Sequence, residues 1–297
     1  MNTDVKIKYK SAVAGEMVPE AFYPSQIPDM LLLEYPALEQ TGVVKHCFST
    51  KLGGVSEGIF ATMNLSFTRG DKQEAVEENY RRLASTLKVS CDRFVFSDQT
   101  HTTNVRVVTE NDAGKGLVKE RDYSDVDGLI TNVPGLVLST FYADCVPLYF
   151  VDVTNRAIGL SHSGWRGTVS RMGKVTIQAM NREYGTRPEE LICAIGPSIC
   201  QDCYEVSSDV AAAFIEEFKG NEDRILIDKR NGKFQLNLWE ANKQILLDAG
   251  VREENISCTA ICTCCNEKLL FSHRATNGKR GNLGAFLSLR EIPKKNK

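Results

Sequence analysis

Residues 136–142 form a continuous apolar run, and strand-like runs at 148–153 and 157–160 follow it closely, the last two split only by the turn Thr154-Asn155. A strand that is apolar at consecutive positions is buried on both faces, whereas a half-exposed strand alternates. Such a strand needs cover on both sides, so the chain must place other layers around it. Amphipathic segments suited to that role are interleaved with the strands. Residues 71–88 read as a helix, with Asp71 as its cap and Val76, Tyr80, Leu83 and Leu87 at helical spacing. Residues 168–184 read as a second, stopped by Gly185, and 208–218 and 237–249 as two more.

Further strands are expected at 43–49, 93–96, 105–108, 191–195, 256–261 and 269–272, with glycine-punctuated or polar loops at 52–58 and 111–124. No gap rich in Pro, Gly or Ser divides these elements, and no repeat is visible. The expectation is one α/β domain over residues 29–297, with mixed strand directions and layered helices, preceded by an extension over residues 1–28.

The 297 residues are 42% hydrophobic and 25% charged, with a formal net charge of −2. That balance gives no basic excess for nucleic acid or for an acidic membrane surface. No run reaches the roughly 20 apolar residues that span a bilayer. The start, Met1-Asn2-Thr3-Asp4-Val5-Lys6, lacks a secretion pattern. A cytosolic, reducing location is expected, where the ten cysteines serve as thiols, ligands or core packers rather than disulfides.

The chain has only four histidines. His46 alternates with Val44 and Phe48 on a strand and reads as a core residue. His101 lies in a polar loop between two strand signals. His162 ends a strand and opens the turn His162-Ser163-Gly164-Trp165-Arg166-Gly167, where close glycines, a helix start and Arg166 suit an anion. His273 sits just past a strand signal, beside Arg274. Cys145 follows the buried strand, next to Asp144, an acid that needs a partner at such a place.

His101, Cys145 and His162 each sit at a strand end, where distant residues can converge. Two imidazoles and a thiolate make a borderline-soft site for zinc with one position left open, the mark of a catalytic metal. A blue-copper centre uses similar ligands, but a laccase also needs a three-copper cluster held by many more imidazoles than this chain has. Cys200 and Cys203 form a C-x-x-C pair. Reading Cys262, Cys264 and Cys265 as a cluster, rather than as a second such pair, counts against a four-cysteine structural zinc.

Several stretches together resemble the laccase-domain family of YfiH/YlmD type, once called multicopper polyphenol oxidoreductases and later assigned as purine nucleoside phosphorylases. They include Phe48-Ser49-Thr50-Lys51-Leu52-Gly53-Gly54-Val55-Ser56, Met63-Asn64-Leu65, Gln99-Thr100-His101 and Asp127-Gly128-Leu129-Ile130-Thr131. Ala143-Asp144-Cys145-Val146-Pro147, His162-Ser163-Gly164-Trp165-Arg166-Gly167, Ile195-Gly196-Pro197-Ser198-Ile199, Cys203-Tyr204-Glu205-Val206 and Phe271-Ser272-His273-Arg274 continue them. The resemblance runs from about residue 43 to 289. Lys51 departs from the arginine often found there, and Cys262-Thr263-Cys264-Cys265 carries more cysteine than is usual.

The resemblance implies a mixed α/β fold similar to cytotoxic necrotizing factor deamidases. It implies zinc, with copper a lesser alternative, on His101, Cys145 and His162. It implies phosphorolysis of adenosine, inosine and methylthioadenosine, together with deamination of adenosine. For these reactions Asp127 and Asp144 are the carboxylates expected to move protons. Lys51, Arg166 and Arg274 are the cations expected to hold phosphate, and Asn64 and Gln99 are counted with the substrate-binding set. The small-molecule partners would be purine nucleosides and phosphate. A rival reading is a metal-free hydrolase that cleaves amide bonds, as in peptidoglycan precursor editing, with Cys145 as nucleophile and His162 as base.

Overall fold

The structure, a computed structural model, describes residues 7–10 and 30–291. Apart from residues 7–10, the expected extension lies outside the described residues. Those four residues lie against the main body: Lys8 and Asn266 exchange two hydrogen bonds of 2.8 and 3.0 Å, and the Lys10 backbone N–H donates to Ala260.

The architecture is a mixed α/β stack of four layers. One sheet has six strands in the order Ile256–Cys258, Ile192–Ile195, Val146–Asp152, Ala157–Ser163, Gly128–Thr131 and Val105–Val107. The second has five, in the order Leu32–Leu33, Val44–Ser49, Leu283–Leu289, Val137–Tyr142 and Phe94–Phe96. The two sheets pack face to face through Phe48, Leu138 and Leu287 on one side and Tyr149, Ile158 and Leu160 on the other. Helices Met172–Tyr184 and Leu238–Asp248 cover the outer face of the six-stranded sheet, and helix Gln73–Leu87 covers the outer face of the five-stranded one.

This stacking explains the apolar runs. Along Val146–Asp152, the side chains of Val146, Leu148 and Phe150 face the helices, while Tyr149 and Val151 face the other sheet. Alternation persists, but both faces are dry, so nothing polar is needed to mark it.

Several expectations change. The segment 168–184 is two helices, Trp165–Val169 and Met172–Tyr184, broken where Arg171 takes a left-handed φ of 56°. Residues 269–272 are not a strand: Leu269 and Leu270 close a turn, their N–H groups both donating to the Asn266 carbonyl, and 271–272 pair with no strand. The strand expected at 256–261 stops at Cys258, before Ala260 with φ 50°. Asp71 lies one residue before the cap of its helix, where its carboxylate accepts from Lys72 and Asn64. Leu283–Leu289 is an unanticipated strand at the centre of the five-stranded sheet. A small sheet of Glu205–Ser207, Lys233–Leu236 and Leu226–Asp228 is also new.

No helix among the described residues is long and apolar enough to cross a membrane. None of the ten cysteines is in a disulfide.

The glycine-punctuated loop before the Gln73–Leu87 helix is held by one buried side chain of that helix. Asn79 accepts from the Val55 N–H at 2.9 Å and donates toward Ser56 Oγ and the carbonyls of Thr62 and Asn64. Asn79→Ala strands these groups where water does not reach. Leaving a buried polar group unpaired costs about 1–3 kcal/mol. Urea denaturation should therefore show a loss of at least that order, with an unchanged slope; a stability equal to wild type would refute this role.

Candidate metal-binding active site

Three neighbouring strands of the six-stranded sheet bring the site together. His162 is the penultimate residue of Ala157–Ser163 and pairs with Pro147, so Cys145, two residues before Pro147, lies just beyond that strand's start. Asp127 precedes Gly128, which pairs with Ser161 on the opposite edge of the same strand. His162 is thus flanked by Cys145 on one side and Asp127 on the other. His101 arrives from the loop between Phe94–Phe96 and Val105–Val107, in a left-handed conformation with φ 67°.

Asp127, fully buried, holds that loop. Its Oδ2 accepts from the Thr100 and Thr102 backbone N–H groups, both at 3.0 Å, and from the Thr102 hydroxyl. Its Oδ1 accepts from the His101 N–H at 3.2 Å and pairs with His162 Nδ1 at 2.7 Å. Committing Nδ1 to the carboxylate leaves Nε2 of His162 as the free ligand atom.

One ligand atom from each of His101, Cys145 and His162 lies within 4.8 Å of the others, and Cys145 Sγ is 4.0 Å from His101 Nε2. This is the approach that three donors around one ion require. The backbone makes room for it at Gly164. A Cβ there would stand 2.9 Å from His101 Cδ2 and 3.1 Å from Cys145 Sγ.

Burial alone would raise the Cys145 thiol. The neighbouring His162 and His101 overcome this and bring it down to about 6. Burial alone would likewise deprotonate His162, but the charge of Cys145 and the hydrogen bond to Asp127 raise it to about 9. Burial also opposes ionisation of Asp127, yet its bonds to His162 and the Thr102 and Thr100 amides hold it below the ordinary carboxylate range. Without metal, the three groups are a thiolate, an imidazolium and a carboxylate in a row.

His101, Cys145 and His162 open into a cavity of about 980 Å³. Aromatic side chains line part of it, among them Phe67, Phe141 and Tyr123, and the carboxylates on its walls are Glu77, Asp98 and Glu120. Of the three arginines that line it, Arg121 is paired with Asp98, which leaves Arg69 and Arg280. Arg280 is 7% exposed, and no carboxylate among the described residues lies within ion-pair distance of it. Its Nε has no hydrogen-bond partner. Burial, with Arg69 nearby, lowers its guanidinium to about 10. A buried cation without a counter-charge is costly unless an anion joins it. Neither arginine is among the residues expected from the sequence, because in loops such as Gly278-Lys279-Arg280-Gly281 a charge reads as solvated.

The other expected residues are placed differently from expectation. Asp144, at φ 93°, turns away from the cavity and accepts from Thr263 Oγ1 at 2.6 Å and the Arg274 N–H at 2.7 Å. Both oxygens of Asp127 and of Asp144 accept hydrogen bonds from neighbouring groups. The Arg274 guanidinium is spent on the carbonyls of Cys203 and Glu205. Lys51 donates to the Glu267 carbonyl and lies over the Phe271 ring, and Arg166 stacks on Trp165 at the surface. None of Lys51, Arg166, Arg274 and residues 163–165 lines the cavity.

Gln99 does line it, but its amide is tied to the Phe141 N–H and carbonyl at 2.6 and 2.7 Å. Asn64 is buried, and its Oδ1 accepts from the Ser66 and Asn282 N–H groups, tying together the loops that carry Arg69 and Arg280. His273 is exposed beside Gly278. His46 is a core residue, accepting the Tyr35 N–H, as its alternation suggests.

Two outcomes follow from this geometry. Gly164→Ala places a methyl group against two of the ligands, so elemental analysis should find metal lost from this site while the far-UV spectrum is kept; full occupancy would refute the crowding. A metal at His162 Nε2 must also displace the proton that this ring holds up to about pH 9. Between pH 7 and 8, binding should therefore release close to one proton from His162. Apparent affinity should fall about tenfold per unit of decreasing pH on this account. Calorimetry in buffers of different ionisation heat measures it, and an affinity independent of pH would contradict the assignment.

Residues 45–290 match the family described as multi-copper polyphenol oxidoreductase laccase. The chain is 35% identical over 248 residues to purine nucleoside phosphorylase YlmD of Bacillus subtilis, covering 82% of this chain and 88% of that protein. It is 35% identical over 229 residues to adenosine deaminase RL5 from an unknown prokaryotic organism, covering 76% and 87%. The crystal structure of YlmD from Geobacillus stearothermophilus superposes with a TM-score of 0.83 at 32% identity, covering 91% of this chain and all of that one. Since the matched region contains both large sheets from Val44–Ser49 onward and all three converging ligands, the chain belongs to the multi-copper polyphenol oxidoreductase laccase family.

Proposed function

We propose that this chain is a zinc-dependent purine nucleoside phosphorylase acting on adenosine, inosine and methylthioadenosine, with adenosine deaminase activity. The observation that carries the reading is the meeting of two unlike features in one cavity. A two-histidine, one-cysteine ligand set lies at its base, and the unneutralised Arg280, with Arg69, lies on its wall. The names of the relatives support the same chemistry.

The donor set fits zinc: two imidazoles and a thiolate, pre-oriented by Asp127, with room kept by Gly164. When bound there, zinc supplies a nucleophilic water of lowered pKa and polarises the purine. The chain's own residues do the rest. Asp127 fixes the His162 tautomer and the position of His101. Arg69 and Arg280 hold phosphate in place of Lys51, Arg166 and Arg274. Phe67 and Phe141 offer apolar walls to the base, and Asn64 keeps the two arginine loops together. Glu120, exposed on the cavity wall, is the carboxylate within reach of bulk water for proton transfer.

One observation favours the second reading. Cys145, His162 and Asp127 without metal form an activated thiolate, its imidazolium and an orienting acid, the order a cysteine hydrolase uses. Metal separates the two readings, because a thiolate bound to zinc is not free to attack a carbonyl. Iodoacetamide should modify Cys145 rapidly in metal-free protein and slowly in zinc-loaded protein. Amide-bond cleavage by metal-free protein alone would favour the hydrolase.

The decisive experiment is incubation of zinc-loaded protein with adenosine, with and without phosphate. Adenine and ribose 1-phosphate should form only with phosphate, and inosine in both cases; neither product would sink the proposal. Arg280→Met should raise the KM for phosphate roughly 10- to 100-fold, the worth of a hydrogen bond to a charged group of about 1.5–3 kcal/mol. Deamination, which uses no phosphate, should keep its kcat. An unchanged KM would remove Arg280 from the phosphate site.

A further inference from the structure

Outside this cavity, four more cysteines converge. One sulfur from each of Cys200, Cys203, Cys262 and Cys265 lies within 4.8 Å of every other. The sequence pattern corrects itself here. Cys262 and Cys265 are spaced C-x-x-C like Cys200 and Cys203, with Thr263 and Cys264 between them, so the expectation of an unpaired cluster fails. Cys264 is not one of the four.

The fold brings the two turns together as a continuation of the six-stranded sheet. Ile256–Cys258 and Ile192–Ile195 pair in parallel, and beyond them the Ser198 N–H donates to Ile261 and the Thr263 N–H to Ser198. Each segment then bends, the first through the short turn Gln201–Cys203. The two pairs of thiols face each other across the gap, with Cys203 and Cys265 Sγ 3.5 Å apart. Disulfide sulfurs bond at about 2.05 Å, so this is contact without a bond.

A second observation suits metal-bound sulfur. Cys262 Sγ accepts two backbone N–H groups, from Cys200 at 3.3 Å and Cys265 at 3.4 Å. A neutral thiol is a weak acceptor, whereas a metal-bound thiolate draws amide donors in this way. Lys10 stands alongside, paired with Asp202 inside the first turn at 2.8 Å.

We propose that Cys200, Cys203, Cys262 and Cys265 form a second, structural metal site that binds a single thiophilic divalent ion, zinc above all. Four thiolates at about 2.3 Å from one zinc stand about 3.8 Å from each other. Cys203 and Cys265 at 3.5 Å, with every other pair within 4.8 Å, bracket that value. An iron–sulfur cluster places its thiolates on different irons, farther apart than 4.8 Å. All four coordination positions are filled by protein, so this site is closed, unlike the one in the cavity.

The site also bears on the first one. Thr263, inside the second C-x-x-C turn, donates to Asp144, and Arg274, which donates to Asp144 through its backbone, holds the Cys203 carbonyl through its side chain. The ion fixes the two turns from which Asp144, the residue before Cys145, is held.

The test uses the full chain with the first site disabled by Cys145→Ser and His162→Ala, expressed with zinc supplied. Elemental analysis should find one metal ion per chain retained, against two in the unaltered protein. X-ray absorption should show a shell of sulfur alone. Adding Cys203→Ser and Cys265→Ser should remove that ion, and the absorption result stands by itself if this variant fails to fold. Iron in place of zinc on four sulfurs would support the site and reassign only the ion. The proposal is overturned if the double variant is metal-free, if its metal is bound by nitrogen or oxygen, or if peptide mapping without reductant finds these cysteines in disulfides. None of these outcomes depends on nucleoside chemistry.

Discussion

The short contact between Asp127 and His162 organises the candidate site. A buried carboxylate has several acceptor positions to satisfy, and here all its partners belong to the site: the His162 ring, three consecutive amides from Thr100 to Thr102 and the Thr102 hydroxyl. The same hydrogen bonds that make burial of the charge tolerable also bend the loop into the left-handed turn that aims His101. Removing Asp127 would therefore not delete one contact. It would release one ligand's tautomer and another ligand's backbone together.

That contact exists only because three neighbouring strands of the six-stranded sheet are held in register. His162 can be flanked by Cys145 and Asp127 because its strand lies between theirs, and the antiparallel pairing places all three at one end. The same strands are apolar on both faces, so a shift by one residue would trade the helix layer for the sheet layer and disrupt two cores at once. Packing rigidity is what allows three ligand atoms to be held within bonding reach of one ion before any ion binds.

How much of this is legible in the sequence depends on what kind of partner a residue has. The ligands can be read because few residue types bind such a metal and the chain has only four histidines. The buried strands can be read because apolar runs are local. Leu283–Leu289 escapes, although its composition is strand-like, because its neighbours in the sheet are residues 44–49 and 137–142 and nothing nearby announces them. Asp144, Arg274, Gln99 and Asn64 look like substrate ligands in sequence since they are polar residues in matching stretches. In the structure their partners are other groups of the chain, most of them backbone, one of them 218 residues away. Arg280 is the converse case: a charged residue between glycines that only the folded chain shows to be buried and unneutralised.

The two cysteine-containing sites differ in a way that their surroundings explain. In the cavity the protein offers three donors, an orienting acid and open space, a combination that leaves chemistry for a substrate to complete. Between the two C-x-x-C turns it offers four donors, backbone amides to the sulfur and a neighbouring lysine, with nothing left open. Asp144 lies between them. Its left-handed backbone sets the direction of Cys145, and such a conformation costs energy in any residue but glycine. Thr263 and Arg274 hold it there, and both are anchored to the cysteine turns. A closed site that stiffens those turns would stabilise the strained backbone beside the open one, so the geometry at the reacting centre is set partly by four sulfurs that never touch a substrate.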